Sequence, residues 1–317
     1  MKLLKLVPEN TNIDFMRWRR FAIIGSMVLS IAAIILTGTR GLNLGVDFVG
    51  GQMVRTTFEQ PINIDRLRSD IGGLRLGDAS IQEFGGPTSY QIRLPMPPGG
   101  DEAANVAAQQ VRAMLDEKYP GARIDAVETV SGKVSEELAF SGAMAIGLAM
   151  LAIAIYIWFR FEWQFGVGAL ITLFHDITMT LGLFSLTQLQ FDLNVVAAFL
   201  TIVGYSLNDT VVIYDRIREN LRKYRKMAIV PLINLSLNET LARTVVTSLT
   251  LLIALAALLV IGPEVIFGLA LAIAFGILIG TYSSIYISAP VLVWLGVKPD
   301  SFLRFDEGDT PPRPQEG

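Results

Sequence analysis

The chain has 317 residues, of which 52% are hydrophobic and 17% charged, and its mean hydropathy is +0.48. This composition is typical of a membrane protein. The net charge is −3, so no global basic surface points to a nucleic-acid partner. Cysteine is absent and there is one histidine, which excludes disulfide scaffolds, thiol catalysis and Cys/His zinc sites. We therefore expect neither a cofactor nor a bound metal.

The first apolar run, residues 21–37, follows a basic flank of Arg17, Arg19 and Arg20. A basic flank before a short apolar segment is also typical of a signal peptide, but no small-x-small cleavage pattern follows this run. We therefore predict an uncleaved membrane helix. Because cations favour the cytoplasmic side, residues 1–38 are predicted to form a cytoplasmic amino terminus and this first helix.

Residues 39–137 are soluble in character and contain no second long apolar run. Strand patterns occur at residues 46–58, 79–84, 90–94 and 124–130, and helix patterns at residues 63–71 and 101–118. Asn63 is placed to cap the first of these helices. The order βαββαβ predicts a ferredoxin-like α+β domain. A loop this long crosses the membrane whatever its charge, so the domain is predicted to be external, in the periplasm.

Five more apolar runs follow, at residues 138–159, 165–186, 193–214, 244–261 and 265–295. The loop after the third of these carries six cations, whereas the connector at residues 262–264 carries none. Six membrane helices with both termini in the cytoplasm satisfy these flanks. The predicted fold is an α-helical polytopic membrane protein with one external ferredoxin-like domain between its first two helices. Residues 138–296 hold the other five helices, and residues 297–317 form a disordered cytoplasmic tail.

Polar residues recur at helical spacing within three of these runs. The stripes are Gly168, Thr172, Asp176 and Thr180, with His175 beside them; Thr201, Tyr205, Asn208 and Asp209; and Thr240, Arg243, Thr244, Thr247 and Ser248. Burying an ionised Asp in hydrocarbon costs about 2.5 to 3.5 kcal/mol on insertion scales. Because lipid cannot satisfy donors and acceptors, we expect the three stripes to face one another.

Asp209 and Arg243 form the predicted pair, because both lie in the cytoplasmic halves of antiparallel helices. Three interpretations are open from the residues alone. The two can form a static ion pair that fixes helix packing, or Glu239 can satisfy Arg243 from one turn away. They can also form a proton relay in which Asp209 alternates between a paired carboxylate and a neutral acid.

Five segments together resemble the SecD/SecF family of bacterial protein-export membrane proteins, which belongs to the resistance-nodulation-division superfamily. They are Gly41-Leu-Asn-Leu-Gly-Val-Asp-Phe-Val-Gly-Gly51, Leu173-Phe-His-Asp-Ile177, Asn208-Asp-Thr-Val-Val-Ile-Tyr-Asp-Arg-Ile-Arg-Glu-Asn220, Leu241-Ala-Arg-Thr-Val-Val-Thr-Ser248 and Gly280-Thr-Tyr-Ser-Ser-Ile-Tyr-Ile-Ser288. In the first segment, Leu44 and Val49 depart from the commonest family residues. The resemblance covers essentially the whole chain except its tail.

The resemblance implies an accessory subunit of the Sec protein-export machinery in the bacterial inner membrane. Such a subunit uses the proton motive force to promote polypeptide translocation and has no hydrolytic or redox chemistry of its own. Implied partners are SecD, the SecYEG channel and SecA, with YajC and YidC as further candidates. Unfolded exported polypeptide is the implied substrate, and membrane lipid surrounds the helices. The alternatives are a small-molecule efflux subunit of the same superfamily and a scaffold without a transport cycle.

The same resemblance suggests roles for individual residues. Asp209 and Arg243, with Asn208 beside them, are implied to couple protons. For His175 and Asp176, both a packing role and a place on the proton path are open. The cytoplasmic motif, Asp215, Arg216, Arg218 and Asn220, is interpreted mainly as an orientation signal and lipid anchor. The signature residues Gly45, Asp47, Gly50 and Gly51 are interpreted either as a local glycine turn or as a hinge of the external domain.

Overall fold

The computed structural model describes Pro8 and residues 11–297. Its helices are α1 (Arg19–Arg40), α2 (Val46–Val49), α3 (Ile64–Gly72), α4 (Gly100–Lys118), α5 (Gly132–Arg160), α6 (Trp163–Thr187), α7 (Leu193–Lys223), α8 (Ile229–Ile261), α9 (Phe267–Ser283) and α10 (Ala289–Trp294). Its strands are β1 (Asn43–Leu44), β2 (Gly51–Thr57), β3 (Ser80–Glu83), β4 (Ser89–Leu94), β5 (Arg123–Val130) and β6 (Gln190–Phe191). Short 3₁₀ helices precede α1 (Phe15–Trp18) and α9 (Glu264–Ile266).

Six helical segments of the described chain are long and apolar enough to cross a membrane, as predicted. Five contain α1, α5, α6, α7 and α8, and the sixth runs from Glu264 to Trp294 through α9, a π-helical stretch (Ser284–Ser288) and α10. Two helices extend well beyond the predicted apolar runs. In particular, α8 begins at Ile229, because Asn234, Asn238 and Glu239 interrupt the apolar pattern without breaking the helix. The predicted disordered tail lies, apart from Val297, outside the described residues.

The external domain has the predicted ferredoxin-like arrangement. Its antiparallel sheet has the strand order β3-β4-β2-β5, in which the first strand of the unit, β2, lies at the centre and pairs with both β4 and the last strand, β5. One face of the sheet shares an apolar core with α3 and α4, including Val54, Leu67, Ile92 and Leu115. Asn63 caps α3 as predicted, accepting hydrogen bonds from the backbone N–H groups of the second and third helical residues.

The prediction of a strand over residues 46–58 is partly wrong. Val46–Val49 forms one turn of helix, and the strand begins only at Gly51. The break occurs at Gly50 and Gly51, whose φ angles are +71° and +115°. A Cβ on Gly51 would lie 2.5 Å from the Leu94 carbonyl oxygen. Both glycines are therefore required by a tight turn, as the positive-φ interpretation of this pair predicts.

Backbone pairing ties the signature segment to the external end of the membrane bundle. β1 pairs in parallel with β6, which lies in the connection between α6 and α7. The Gly45 N–H donates to the Phe191 carbonyl at 2.8 Å, and the Asp47 carboxylate accepts from the Leu193 N–H at 3.0 Å. Asp47 thus caps the first residue of α7, the helix that carries Asp209.

Candidate functional site

Two buried carboxyl groups occupy the centre of the membrane bundle. Asp176 on α6 is 1% exposed and Asp209 on α7 is 7% exposed. Around them pack α6, α7, α8, α9 and the π-helical stretch. A carboxylate at this depth is stable only if its oxygens find donors within the protein, so the partners of the two groups decide what each can do.

Asp176 is surrounded by three polar side chains. Its Oδ1 lies 2.9 Å from Nδ1 of His175, and its Oδ2 accepts from the hydroxyls of Ser206 at 2.5 Å and Ser283 at 3.0 Å. Ser206 belongs to α7 and Ser283 ends α9. Asp176 therefore joins three helices through direct hydrogen bonds.

Asp209 has a different set of partners, both of them hydroxyls. Oδ1 accepts from Thr244 of α8 at 2.7 Å, and Oδ2 accepts from Ser284 of the π-helical stretch at 2.8 Å. A hydroxyl can donate to a carboxylate, and it can equally accept from a protonated carboxyl. The site can therefore satisfy Asp209 in either protonation state, which a fixed cation could not do.

In this conformation Arg243 is exposed and, within the described chain, forms no direct ion pair with Asp209, so the predicted pairing stays a prediction. The two groups nevertheless lie near enough for the guanidinium charge to act on the carboxyl. Thr244 occupies the predicted place, because adjacent helical residues point about 100° apart. Glu239 does not satisfy Arg243 either. Its carboxylate instead accepts from Arg216 at 2.7 Å and from Asn220 at 2.6 Å.

The three polar stripes face one another only in part. The whole α6 stripe is buried, as are Asp209, Thr240, Thr244 and Ser248. Tyr205 is half-buried and shares a hydrogen bond of 2.7 Å with Ser248. The remaining members, Thr201 and Asn208 on α7 and Arg243 and Thr247 on α8, are exposed. These four residues are referred to below as the exposed polar face.

Small residues let α9 approach α7 closely beside the carboxyl groups. A Cβ on Gly276 would collide with Ile202, and one on Gly280 would lie 3.2 Å from Cβ of Ser206. Ala272, one turn earlier, is fully buried. Small residues four positions apart permit such close helix packing, which brings Ser283 and Ser284 within reach of the two carboxyls.

The cytoplasmic motif forms a network of ion pairs apart from the buried centre. Asp215 pairs with Arg160 at 3.0 Å, Arg216 with Glu219 at 2.6 Å, and Arg218 lies 3.6 Å from Glu162. Asn220 is buried and donates to Ser236 at 3.0 Å. The motif therefore links the carboxyl ends of α5 and α7 with the amino end of α8. The signature residues lie at the opposite end of α7.

The sequence did not predict three hydroxyl residues as members of the site: Ser206, Ser283 and Ser284. Single serines inside apolar helices are common, because their hydroxyls can bond to the backbone of the preceding turn. A usable signal was present in the segment that begins at Gly280, where two adjacent serines lie beside tyrosines within an apolar run.

Comparisons with family profiles and with known proteins all point to one family. The profile of the protein export membrane protein SecD/SecF, C-terminal, matches residues 110–298, and that of the SecD/SecF GG motif matches residues 35–62. A relative from Cereibacter sphaeroides is 44% identical over 301 residues, covering 93% of each chain. One from Desulfurispirillum indicum is 46% identical over 287 residues, covering 89% of this chain and 91% of its own. Both are named protein translocase subunit SecF.

A solved structure shows the same fold. The crystal structure of SecDF from Thermus thermophilus, described as a translocon-associated membrane protein, matches 92% of this chain with a TM-score of 0.84 and 34% identity. This chain spans only 39% of that longer one. A second SecDF structure, in a super-membrane-facing form, matches 90% of this chain with a TM-score of 0.63. On the profile matches and on full-length relatives above 40% identity, the chain belongs to the SecD/SecF family of protein-export membrane proteins.

Proposed function

We propose that this chain is the SecF-type subunit of the bacterial protein-export machinery. In this role it works with a SecD chain and uses proton flow to promote translocation of unfolded polypeptide across the inner membrane. The relatives that match along almost their whole length are named translocase subunits, so the efflux alternative is not favoured. The proposal assigns the work to proton movement, without hydrolytic or redox chemistry in this chain.

The observation that carries this proposal is the exposed polar face. Asn208, Arg243 and Thr247 lie on the surface of membrane-spanning helices, where hydrocarbon offers no hydrogen-bond partner. A charged side chain in that position usually faces another protein element or a water-filled cavity. We assign the face to the contact with SecD. The longer SecDF chain, of which this chain matches 39%, has room for such a second half.

Asp209 is the proposed proton carrier, and Arg243 with Asn208 completes the relay. Asp209 lies at the buried side of α7, and Asn208 lies next to it on the exposed polar face. In the conformation described here, the carboxyl has hydroxyl partners only. A rotation of α8 by about 100° would exchange Thr244 for Arg243 beside Asp209. That exchange would favour release of a proton, because a nearby guanidinium stabilises the carboxylate.

The proposed orientation has both termini and the basic α7–α8 loop in the cytoplasm. The backbone N–H groups of Ile13 and Met16 donate to the side chains of Asn238 at 2.8 Å and Asn234 at 3.0 Å. The amino-terminal segment thus lies at the same end of the bundle as the start of α8. That end carries the cation-rich flanks, which supports a cytoplasmic location. Residues 39–137 then form the periplasmic domain.

Beyond SecD, the proposed partners are SecYEG and SecA, with YajC and YidC as further candidates. The cytoplasmic motif, with Arg216 and Arg218, is the proposed contact with the cytoplasmic lipid surface and with SecA. The external domain is proposed to contact emerging polypeptide and to move about the signature turn at Gly50 and Gly51. The positive φ angles of the two glycines, and the close approach of Gly51 to the Leu94 carbonyl, support a defined turn there rather than a freely flexible linker.

The proposal is tested by Asp209→Asn and Arg243→Lys in the complex with SecD. Asn keeps the size of Asp but cannot carry the proton, and Lys keeps the charge without the planar guanidinium. We expect export driven by the proton gradient to fall to the level measured without this subunit, while export driven by ATP alone continues. Both variants should still copurify with SecD at normal yield.

The matched control is Thr250→Val, at an exposed position on α8 that is not part of the exposed polar face. Its hydroxyl donates to the Val246 backbone carbonyl at 2.7 Å, so its loss should change gradient-driven export little. Normal yield together with normal gradient-driven export in Asp209→Asn would contradict the relay and favour the scaffold alternative. Loss of the complex in Asp209→Asn would favour a purely structural role for the buried carboxyl.

A further inference from the structure

Two consecutive serines connect the two buried carboxyl groups. Ser283 donates to Oδ2 of Asp176 at 3.0 Å, and Ser284 donates to Oδ2 of Asp209 at 2.8 Å. They stand at the junction where α9 ends and the π-helical stretch begins. Such π-helical stretches occur frequently at functional sites. One turn of one helix therefore contacts both carboxyls.

Each serine also has a second acceptor close by. Ser283 reaches the Gly280 carbonyl at 3.1 Å, and Ser284 reaches the Thr281 carbonyl at 3.0 Å. A hydroxyl has a single proton to donate, so each serine must choose between its carboxylate and its carbonyl. When the carboxyl is protonated, the serine oxygen can accept a hydrogen bond from the carboxyl O–H, and the serine hydroxyl donates to the carbonyl instead. Both serines can thus follow the protonation state of their acid.

A second connection runs along α7. Ser206, which donates to Asp176 at 2.5 Å, lies three residues before Asp209, so the two contacts are about one turn apart on the same helix. Asp176 is therefore held by the same two elements, α7 and the end of α9, that hold Asp209. Of the other titratable or charged groups on the helices packed around the pair, His175 contacts Asp176, and Tyr205 and Arg243 act on Asp209. Tyr214 of α7, Tyr282 of α9 and Tyr286 of the π-helical stretch lie on the same elements, and Glu239 and the charged residues 215–223 lie toward the ends of α8 and α7.

We propose that Asp176 is a second proton-binding carboxyl, coupled to Asp209 through Ser283 and Ser284. This inference rests on the proposed proton relay and extends it to two sites. A proton that binds Asp209 turns Ser284 toward the Thr281 carbonyl, and this changes the hydrogen bonding of the turn that holds Ser283 and Asp176. Two carboxyls that share a hydrogen-bonded turn titrate as a pair rather than as independent groups.

Infrared spectroscopy distinguishes this inference from a purely structural role for Asp176. Difference spectra between acidic and neutral pH are recorded on the SecD complex in lipid, for the unchanged chain, Asp209→Asn and Asp176→Asn. We expect each substitution to remove one component from the protonated-carboxyl region of the spectrum, and the two substitutions to remove different components. If the spectrum of Asp176→Asn is the same as that of the unchanged chain, Asp176 binds no proton. The inference is then wrong, although the proton relay at Asp209 stands. If Asp209→Asn leaves its component intact, the relay at Asp209 is wrong instead.

Serine substitutions test the coupling. Ser284→Ala should make the Asp209 signal persist to higher pH by about one to two pH units, the size expected for loss of one hydrogen bond to a charged group. Coupling predicts that the Asp176 signal moves as well, although Ser284 does not touch Asp176. Ser283→Ala should give the reciprocal result. A shift confined to the contacted carboxyl in both variants would overturn the coupled pair.

Two further variants control for loss of a buried hydroxyl as such. Thr172, one turn before Asp176 on α6, is equally buried, but its hydroxyl donates to the Gly168 carbonyl at 2.8 Å. Thr172→Val should therefore leave both titrations in place. Ser284→Thr retains a hydroxyl and should restore the unchanged titration. A shift in Thr172→Val equal to that in Ser284→Ala would contradict a specific role for the serine bridge.

Discussion

The external domain and the centre of the membrane bundle are built on opposite principles. The interior of the domain is apolar, formed by side chains such as Val54, Leu67, Ile92 and Leu115. The interior of the bundle, which is equally buried, instead places two carboxyl groups among hydroxyl groups. Close-packed apolar cores have one best arrangement and resist deformation. Hydroxyl networks can exchange donors and acceptors at little cost, so we expect rigidity outside the membrane and rearrangement within it.

The largest effect is expected from a substitution in the apolar core of the external domain. Leu67 is fully buried on α3, so Leu67→Ala should destabilise the external domain by about 2 to 5 kcal/mol through lost packing and the remaining cavity. Because the chain has no cysteine, Cys at the buried Val111 position would report unfolding through thiol labelling during denaturant titration. Val106→Ala, at an exposed position on α4, is the control and should change stability by less than about 0.5 kcal/mol. Equal effects of the two substitutions would contradict an apolar core as the source of rigidity.

An intermediate effect is expected at the junction between the two regions. Gly51→Ala should cost about 1 to 3 kcal/mol, because alanine rarely adopts the positive φ found there. The added methyl group would also lie 2.5 Å from the Leu94 carbonyl oxygen. The same thiol-labelling titration measures the loss. Gly86→Ala, in open space, should be nearly neutral, and a neutral Gly51→Ala would show that the turn relaxes easily.

The smallest effect concerns polar contacts on the surface of the domain. Hydrogen bonds from Lys118 at 2.5 Å and Tyr119 at 2.8 Å hold the pKa of Asp70 below its usual value. A lowered folded-state pKa stabilises the domain above the unfolded value of about 4, and this contribution is lost as the pH falls through the folded pKa. Asp70→Asn should therefore cost less than about 1 kcal/mol at pH 7 and still less at pH 3. Hydrogen exchange of β2, corrected for its intrinsic pH dependence, measures the difference. An effect that grows toward acid pH would contradict this sign.

Much of the architecture could be predicted because it depends on local patterns. Six apolar runs, the βαββαβ order and the Asn63 cap all come from hydropathy, alternation and capping chemistry, which act within a few residues. Val46–Val49 was misassigned because four apolar residues fit one helical turn as well as a strand. For a segment that short, periodicity cannot separate the two.

The site could be predicted only in part, because the position of a residue along a helix gives its depth in the membrane but not the direction in which it points around the helix axis. Spacing from the helix ends placed Asp209 and Arg243 in the same half of the membrane. It did not determine which side of α8 faces Asp209, and Thr244 occupies that side. The roles of Ser283 and Ser284 depend on how closely α9 approaches its neighbours, a tertiary property that no local pattern contains.

The cap of α7 by Asp47 has a mechanical consequence. With 31 residues, α7 is about 46 Å long, and Asp209 lies about halfway along it. A straight rod that pivots at its carboxyl-terminal end transmits half of any sideways displacement of its other end to its midpoint. If the signature turn moved by 3 Å, the Asp209 carboxyl would move by about 1.5 Å by this lever geometry. That distance is enough to break a 2.7 Å hydrogen bond to Thr244. A displacement of the external domain would then change the hydrogen-bond partner of Asp209.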